Sequence, residues 1–219
     1  MSRHLQDLLD DLKGRVSRMG AMVQQAVEQA VQAVLAHDPK LARQVVDGDR
    51  GIDEEEVRVE KAAIDLLALH QPAAGDLRYV TTVIKVNSEL ERIADCAVNA
   101  AQRVPPLSHD AGDEAPADLR LMSNTVLSTL RDTIRALNRG DVDLARQVMR
   151  SDDVVDALYH QIVQDVLCHI QAGQHKASSD LSYIMIAKNL ERIADHCTNI
   201  AEDVVYVHTG RIIRHLHAV

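Results

Sequence analysis

Large aromatic side chains are almost missing from this sequence, which has no Phe, no Trp and only four Tyr among 219 residues. Sites that stack nucleic-acid bases or cage cationic ligands depend on aromatic rings, so both kinds of site are disfavoured. Basic residues are also in the minority, with 24 Lys and Arg against 33 Asp and Glu. Because a duplex-binding surface needs clustered Lys and Arg, we expect no nucleic-acid partner.

Long apolar runs are absent as well. No window approaches the roughly 20 apolar residues of a transmembrane helix, and the first residues lack the apolar stretch of a secretory signal. Three cysteines, Cys96, Cys168 and Cys197, form no C-x-x-C pair. Their odd number and wide spacing favour a reducing compartment, in which the thiols are small buried hydrophobic groups. We therefore predict a cytoplasmic globular protein.

The motifs of the common enzyme classes are missing too. The sequence contains no G-x-G loop, no P-loop, no G-x-S-x-G turn and no H-E-x-x-H. No Glu is followed by His three residues later, so the E-x-x-H signature of di-iron bundle oxidases is also absent. We expect no enzymatic activity.

Apolar side chains recur every three or four residues along most of the chain, which is the pattern of amphipathic helices. The few Pro and Gly residues mark the ends of these helices. Asp38 followed by Pro39 is a predicted helix start, with Asp38 as the N-cap. Long helices joined by short connections pack antiparallel, so we predict an all-α fold. The six predicted helices span about 3–36, 39–70, 73–104, 117–139, 141–171 and 175–208.

The two halves of the sequence repeat each other. The segment DPKLARQV at 38–45 matches DVDLARQV at 141–148, 103 residues later. The segment LERIAD at 90–95 recurs 100 residues later. Two matches in the same order and at nearly the same spacing indicate an internal duplication. We predict two tandem three-helix bundles, at residues 1–104 and 117–219, joined by a linker at 105–116.

Acidic residues keep their places in both copies. Each half has one acidic pair with i, i+4 spacing on its third helix and another on its second helix. Such pairs share one helix face and repel each other. Antiparallel neighbours can bring the two pairs together, and four converging carboxylates need a multivalent cation. The predicted metal ligands are Glu91, Asp95, Asp49 and Asp53 in the first half and Glu191, Asp195, Asp152 and Asp156 in the second, with Asn99 and Asn199 as auxiliary ligands.

Oxygen-only ligands suit hard cations such as Mg²⁺, Ca²⁺ or Mn²⁺, and iron also uses them. The alternative is a set of solvated surface acids held in local ion pairs, such as Lys188 with Glu191 or Arg92 with Asp95. His196 follows the last acidic pair directly, but one residue along a helix turns its side chain about 100° away. We therefore do not expect it to be a ligand.

The duplicated LERIAD motif, with Gln71-Pro72 and the DLR segment at 76–78, resembles the PhoU family of bacterial phosphate-signalling regulators. The resemblance runs from about Leu5 to Val207. Where the family often has Gly before the motif aspartate, this chain has Ala94 and Ala194, and alanine keeps that position small.

The resemblance implies a cytoplasmic, non-enzymatic regulator that reaches the membrane only through protein partners. Those partners are the cytoplasmic subunit of a phosphate ABC transporter and a sensor histidine kinase. Family members hold the kinase inactive and restrain phosphate uptake when phosphate is plentiful, and they form homodimers or larger oligomers. Their E/D-x-x-x-D motifs bind metal ions, and Mg, Mn, Zn and Fe are the candidates here. A carboxylate-bridged metalloenzyme and a metal-free helical scaffold are the alternatives.

Overall fold

The computed structural model describes residues 3–107, 115–172 and 177–213. These residues form helices and short connections without any β-strand. The all-α class is therefore confirmed. The helical segments are α1 (Arg3–Ala36), α2 (Pro39–His70), α3 (Ala74–Ala101), α4 (Val104–Leu107), α5 (Ala117–Arg139), α6 (Val142–Arg150), α7 (Asp152–Gln171) and α8 (Ala177–Thr209).

The predicted start of α2 is confirmed in atomic detail. The Asp38 side chain accepts hydrogen bonds from the backbone N–H groups of Lys40, at 2.8 Å, and Leu41, at 3.1 Å. Pro39 takes the first helical position, where its missing N–H has no cost. In the second half, Asp141 caps α6 in the same way by accepting from the Leu144 N–H at 3.0 Å. The helices of the two duplicated segments therefore begin with the same type of N-cap.

The single helix predicted at 141–171 is wrong at one residue, because Ser151 separates α6 from α7. The Ser151 hydroxyl donates to the Val148 carbonyl at 2.7 Å, and its Oγ lies 3.4 Å from Thr129 Oγ1 on α5. Such local bonds from a serine side chain compete with the helical hydrogen-bond ladder. The break places Asp152 in the first turn of α7.

The first residues of the predicted linker form a helical turn rather than an irregular segment. α3 ends at Ala101 instead of residue 104, and the following turn, α4, buries Val104 and Leu107 in the core. Residues 108–114 of the predicted linker, and 173–176 between α7 and α8, lie outside the described residues. The domain boundaries at 104 and 117 stay predictions.

The two halves pack through α1 against α5 and through α3 against α8. At this interface Glu28 accepts from Arg131 at 2.7 Å, and the two residues are 103 positions apart, which is the repeat offset. Positions related by the duplication thus meet each other, as expected near a pseudo-twofold axis. Arg78 adds a second link by donating from Nε to the Val207 carbonyl at 3.1 Å.

Aliphatic side chains fill the core, as the scarcity of aromatic residues requires. Cys96 and Cys197 are buried among them, as predicted, but Cys168 is exposed on α7 and corrects the prediction of three buried thiols. The apolar residues form stripes on one face of each helix instead of covering all sides. Among the described helices, none has the length and apolar character needed to cross a membrane.

Candidate metal centres on the two bundles

Three predicted ligands converge in the second bundle. α7 presents Asp156, and α8 presents Glu191 and Asp195 one helical turn apart. One carboxylate oxygen from each residue lies within 4.8 Å of the other two. Two antiparallel helices therefore bring the acidic pairs face to face, and this spacing allows the three oxygens to surround one hard cation.

Asp152 adds a fourth carboxylate, one turn before Asp156. Its Oδ1 is buried, and the Thr198 side chain is the hydrogen-bonding neighbour that acts to lower the pKa of this carboxyl. Burial raises the pKa of Asp152 to about 6, and the neighbouring charges of Asp195, Asp156 and Asp153 act in the same direction. The first turn of a helix favours negative charge. Here the loss of hydration and the repulsion outweigh that dipole, so the cluster destabilises its own charged form.

Glu191 is held from one side only. Its Oε1 accepts from the Lys188 ammonium at 2.6 Å, whereas its buried Oε2 has no hydrogen-bond partner among the described residues. The Lys188 ammonium also lies over the Tyr159 ring, 5.3 Å from the centroid. The ion pair considered as an alternative is thus present, yet the buried Oε2 of Glu191 has no partner among the described residues. Because such acceptors are costly unless a donor or cation meets them, these residues fit a metal ion.

The four predicted acids of the first bundle also act on one another. Burial raises the pKa of Asp49, and the charges of Asp53 and Asp95 raise it further. Burial likewise raises the pKa of Glu91, followed by the charges of Asp95, Glu56 and Asp53. α2 and α3 therefore bring these acids close enough for their charges to act on one another, but among the described residues no three of their carboxylate oxygens converge within 4.8 Å as they do between α7 and α8.

The two clusters differ in which of their residues are charged. Glu56 is a fifth acid of the first cluster that the sequence pattern does not identify, because Tyr159 takes its place in the second copy. Lys188, which pairs with the second cluster, corresponds to Ser88 in the first. The second cluster in turn has Asp153, whose charge acts on Asp152, at the position where the first copy has Arg50.

The predicted auxiliary ligand Asn199 contacts Glu89 of the first bundle instead of the acids of its own bundle. The neighbouring His196 contacts the same residue. Asn199 Nδ2 donates to Glu89 Oε2 at 3.1 Å, and His196 Nδ1 lies 2.7 Å from the same oxygen. Although burial opposes it, these hydrogen bonds hold the pKa of Glu89 below its usual value. This contact breaks the repeat, because Glu89 corresponds to Asn189, and no sequence pattern predicts it. Asn99 is exposed at the matching position of α3.

Fold and site together define a duplicated helical-bundle protein with one acidic cluster on each bundle. The model of the family described as "PhoU domain" matches residues 16–104 and 119–204. The chain belongs to the PhoU family, which confirms the resemblance seen in its motifs.

Relatives and solved structures agree with this membership. The chain is 34% identical over 209 residues to a phosphate-specific transport system accessory protein PhoU homolog of Thermotoga maritima, covering 95% of this chain and 90% of that protein. It is 31% identical over 208 residues to the phosphate-specific transport system accessory protein PhoU of Escherichia coli, covering 95% and 86%. The crystal structure of PhoU from Pseudomonas aeruginosa superposes with a TM-score of 0.90 at 31% identity, covering 94% and 99%.

Proposed function

We propose that this protein is a metal-binding adaptor that restrains phosphate uptake and keeps phosphate-starvation signalling off. Its partners would be the cytoplasmic subunit of a phosphate ABC transporter and a sensor histidine kinase. Family membership supports this role, because the relatives described above are named accessory proteins of a phosphate-specific transport system. The same proposal includes a cytoplasmic location, no catalytic activity and assembly as a homodimer.

The observation that carries the metal-binding part is the convergence of Asp156, Glu191 and Asp195 within 4.8 Å. With Asp152, these carboxylates would hold an ion on the second bundle. On the first bundle the ligands would be Asp49, Asp53, Glu91 and Asp95. A bound ion supplies positive charge that offsets the mutual repulsion of the acids. The candidate metals are Mg, Mn, Zn and Fe.

The clusters also suggest how docking would depend on metal. The protein carries a net charge of −9, so a bare acidic face repels an acidic partner surface or a phosphate group. A multivalent ion is the largest local charge in such a site and reverses the local field. In this mechanism the carboxylates hold the ion, and the positive charge of the ion attracts an acidic partner to that face.

The proposal predicts that Glu91→Ala combined with Glu191→Ala weakens partner binding at least tenfold in the presence of metal. The variant lacks one carboxylate in each cluster, so each ion loses one ligand and is no longer held in place. Affinity for the transporter's cytoplasmic subunit is measured by surface plasmon resonance with each candidate metal. The control is Asp65→Ala with Asp143→Ala, which makes the same charge change on exposed positions of α2 and α6. Equal affinity of the wild type and the Glu91/Glu191 variant would exclude metal-dependent docking.

A further inference from the structure

One lysine lies beside the acidic cluster of the second bundle. The Lys188 ammonium donates to Glu191 Oε1 at 2.6 Å, three residues further along α8. The Lys188 side chain is 48% exposed, whereas only 13% of the Glu191 side chain is exposed. Because Glu191 is one of the three carboxylates that converge there, the ammonium lies at the edge of the proposed metal site.

A second contact fixes the position of this ammonium. It lies over the Tyr159 ring, 5.3 Å from the centroid, which is within the distance at which aromatic faces attract cations. Tyr159 belongs to α7 and packs against the hydrophobic core. A lysine side chain is flexible on its own, but here α7 and α8 hold its charge between them, next to the acids.

The duplication supplies an internal comparison for this pair of residues. By the repeat offsets, Tyr159 corresponds to Glu56 and Lys188 corresponds to Ser88. Both members of the contact are therefore replaced in the first bundle, one by an acid and the other by an uncharged residue. Glu91, which matches Glu191, has no lysine three residues before it. The lysine contact is thus specific to the second bundle.

An ammonium group and a metal ion compete for the same carboxylate. Both are cations and repel each other at short range. When no metal is bound, the ammonium offsets part of the repulsion among Glu191, Asp195 and Asp156. A metal ion that binds there has to hold Glu191 against the charge of Lys188. The same contact therefore stabilises the metal-free cluster and disfavours the metal-bound one.

We propose that Lys188 is a tethered cation that stabilises the metal-free second cluster and weakens the binding of metal there. This inference rests on the proposed metal-binding function, and it names the residue that tunes the metal affinity of the second bundle. It predicts that one substitution has opposite effects in the absence and in the presence of metal. A lysine with only a structural role would not give that result.

The affinity test uses the full chain with Glu91→Ala and Asp95→Ala, so that only the second cluster keeps its ligands. Isothermal titration calorimetry measures the binding of Mg²⁺, Mn²⁺, Zn²⁺ and anaerobic Fe²⁺. In this background, Lys188→Met should bind at least tenfold more tightly whichever of these metals the parent protein binds, because it removes a positive charge close to the ion. The matched control is Lys85→Met. Lys85 is exposed and lies over the Tyr206 ring at 5.9 Å, but in the described part of the chain it forms no ion pair with an acid of either cluster.

The stability test compares the same two lysine substitutions in the otherwise unchanged chain. In the presence of a chelator, Lys188→Met leaves the Glu191 carboxylate without its donor, so its melting temperature should lie about 2–4 °C below that of Lys85→Met. Saturating metal should remove this difference, because the variant binds the ion more tightly. Thermal unfolding with and without metal measures both effects.

The reverse change tests the same idea in the first bundle. With Glu191→Ala and Asp195→Ala removing the second cluster, Ser88→Lys places an ammonium three residues before Glu91. This variant should bind metal at least tenfold more weakly than its parent. It decides alone if Lys188→Met does not fold.

Two results would overturn this inference and leave the proposed adaptor role intact. One is metal binding by Lys188→Met that is no tighter than that of Lys85→Met, and the other is an equal melting temperature of these two variants without metal. If the wild type binds none of the four metals, the metal-binding function itself fails, and this inference fails with it.

Discussion

The metal-free protein is expected to lose stability as the pH rises from about 4 to 7, and Asp152→Asn to make that loss smaller. The pKa of Asp152 is raised from its ordinary 3.8 to about 6 in the folded state. Between these values the folded protein binds more protons than the unfolded chain, so its free energy of unfolding falls as the pH rises. A difference of this size, reduced for partial exposure to solvent, corresponds to roughly 2 kcal/mol.

Urea unfolding in the presence of a chelator, at pH 4.5, 6.0 and 7.5, measures this effect. Asp152→Asn should exceed the stability of the wild type by less than about 1 kcal/mol at pH 4.5 and by roughly 2 kcal/mol at pH 7.5. Asp143→Asn, on an exposed side chain of α6, is the matched control and should keep the wild-type slope. The pKa values of Asp49, Glu91 and Asp195 are raised by burial and neighbouring acids, so they add to the loss, whereas the lowered pKa of Glu89 acts against it. A wild type that gains stability over this pH range would contradict the prediction.

Saturating metal should stabilise the protein and reverse this pH trend. An ion that binds only the folded state adds about 2.7 kcal/mol per site at a hundred times its dissociation constant. Because carboxylates bind metal only when deprotonated, the gain should grow from pH 5 to pH 7.5. Thermal unfolding with Mg²⁺, Mn²⁺, Zn²⁺ or anaerobic Fe²⁺ measures the shift in melting temperature.

Paired variants assign that gain to each bundle. Glu91→Ala with Asp95→Ala should remove the contribution of the first cluster, and Glu191→Ala with Asp195→Ala that of the second. Each pair should leave the other contribution intact. If the wild type and a variant that combines all four changes were stabilised equally, the ion would bind elsewhere on the chain.

Most of the fold is predictable from local signals in the sequence. The apolar spacing places the helices, and Asp38 before Pro39 fixes the start of α2. The break at Ser151 is not predictable in this way, because the matching residue, Gly48, lies inside the continuous helix α2. At the break, the Ser151 hydroxyl contacts Val148 and Thr129, and Gly48 has no side chain to make the corresponding contacts.

The candidate site is predictable to the extent that the duplication carries it. The i, i+4 spacing and its recurrence place Glu191, Asp195 and Asp156 on facing helices. The duplication does not predict the contacts of residues that differ between the two copies. Glu56 adds an acid to the first cluster, and Glu89 accepts a hydrogen bond from Asn199. Both contacts depend on how the helices pack against one another.

The measurement that tests the central claim most directly is the metal content of protein purified without chelator. Elemental analysis compares the wild type with Glu91→Ala/Asp95→Ala/Glu191→Ala/Asp195→Ala. The account predicts stoichiometric metal in the wild type and none in the variant. A wild type that holds no metal, even after incubation with Mg²⁺, Mn²⁺, Zn²⁺ and Fe²⁺, would show that these acids form a solvated face and would contradict the metal-binding adaptor.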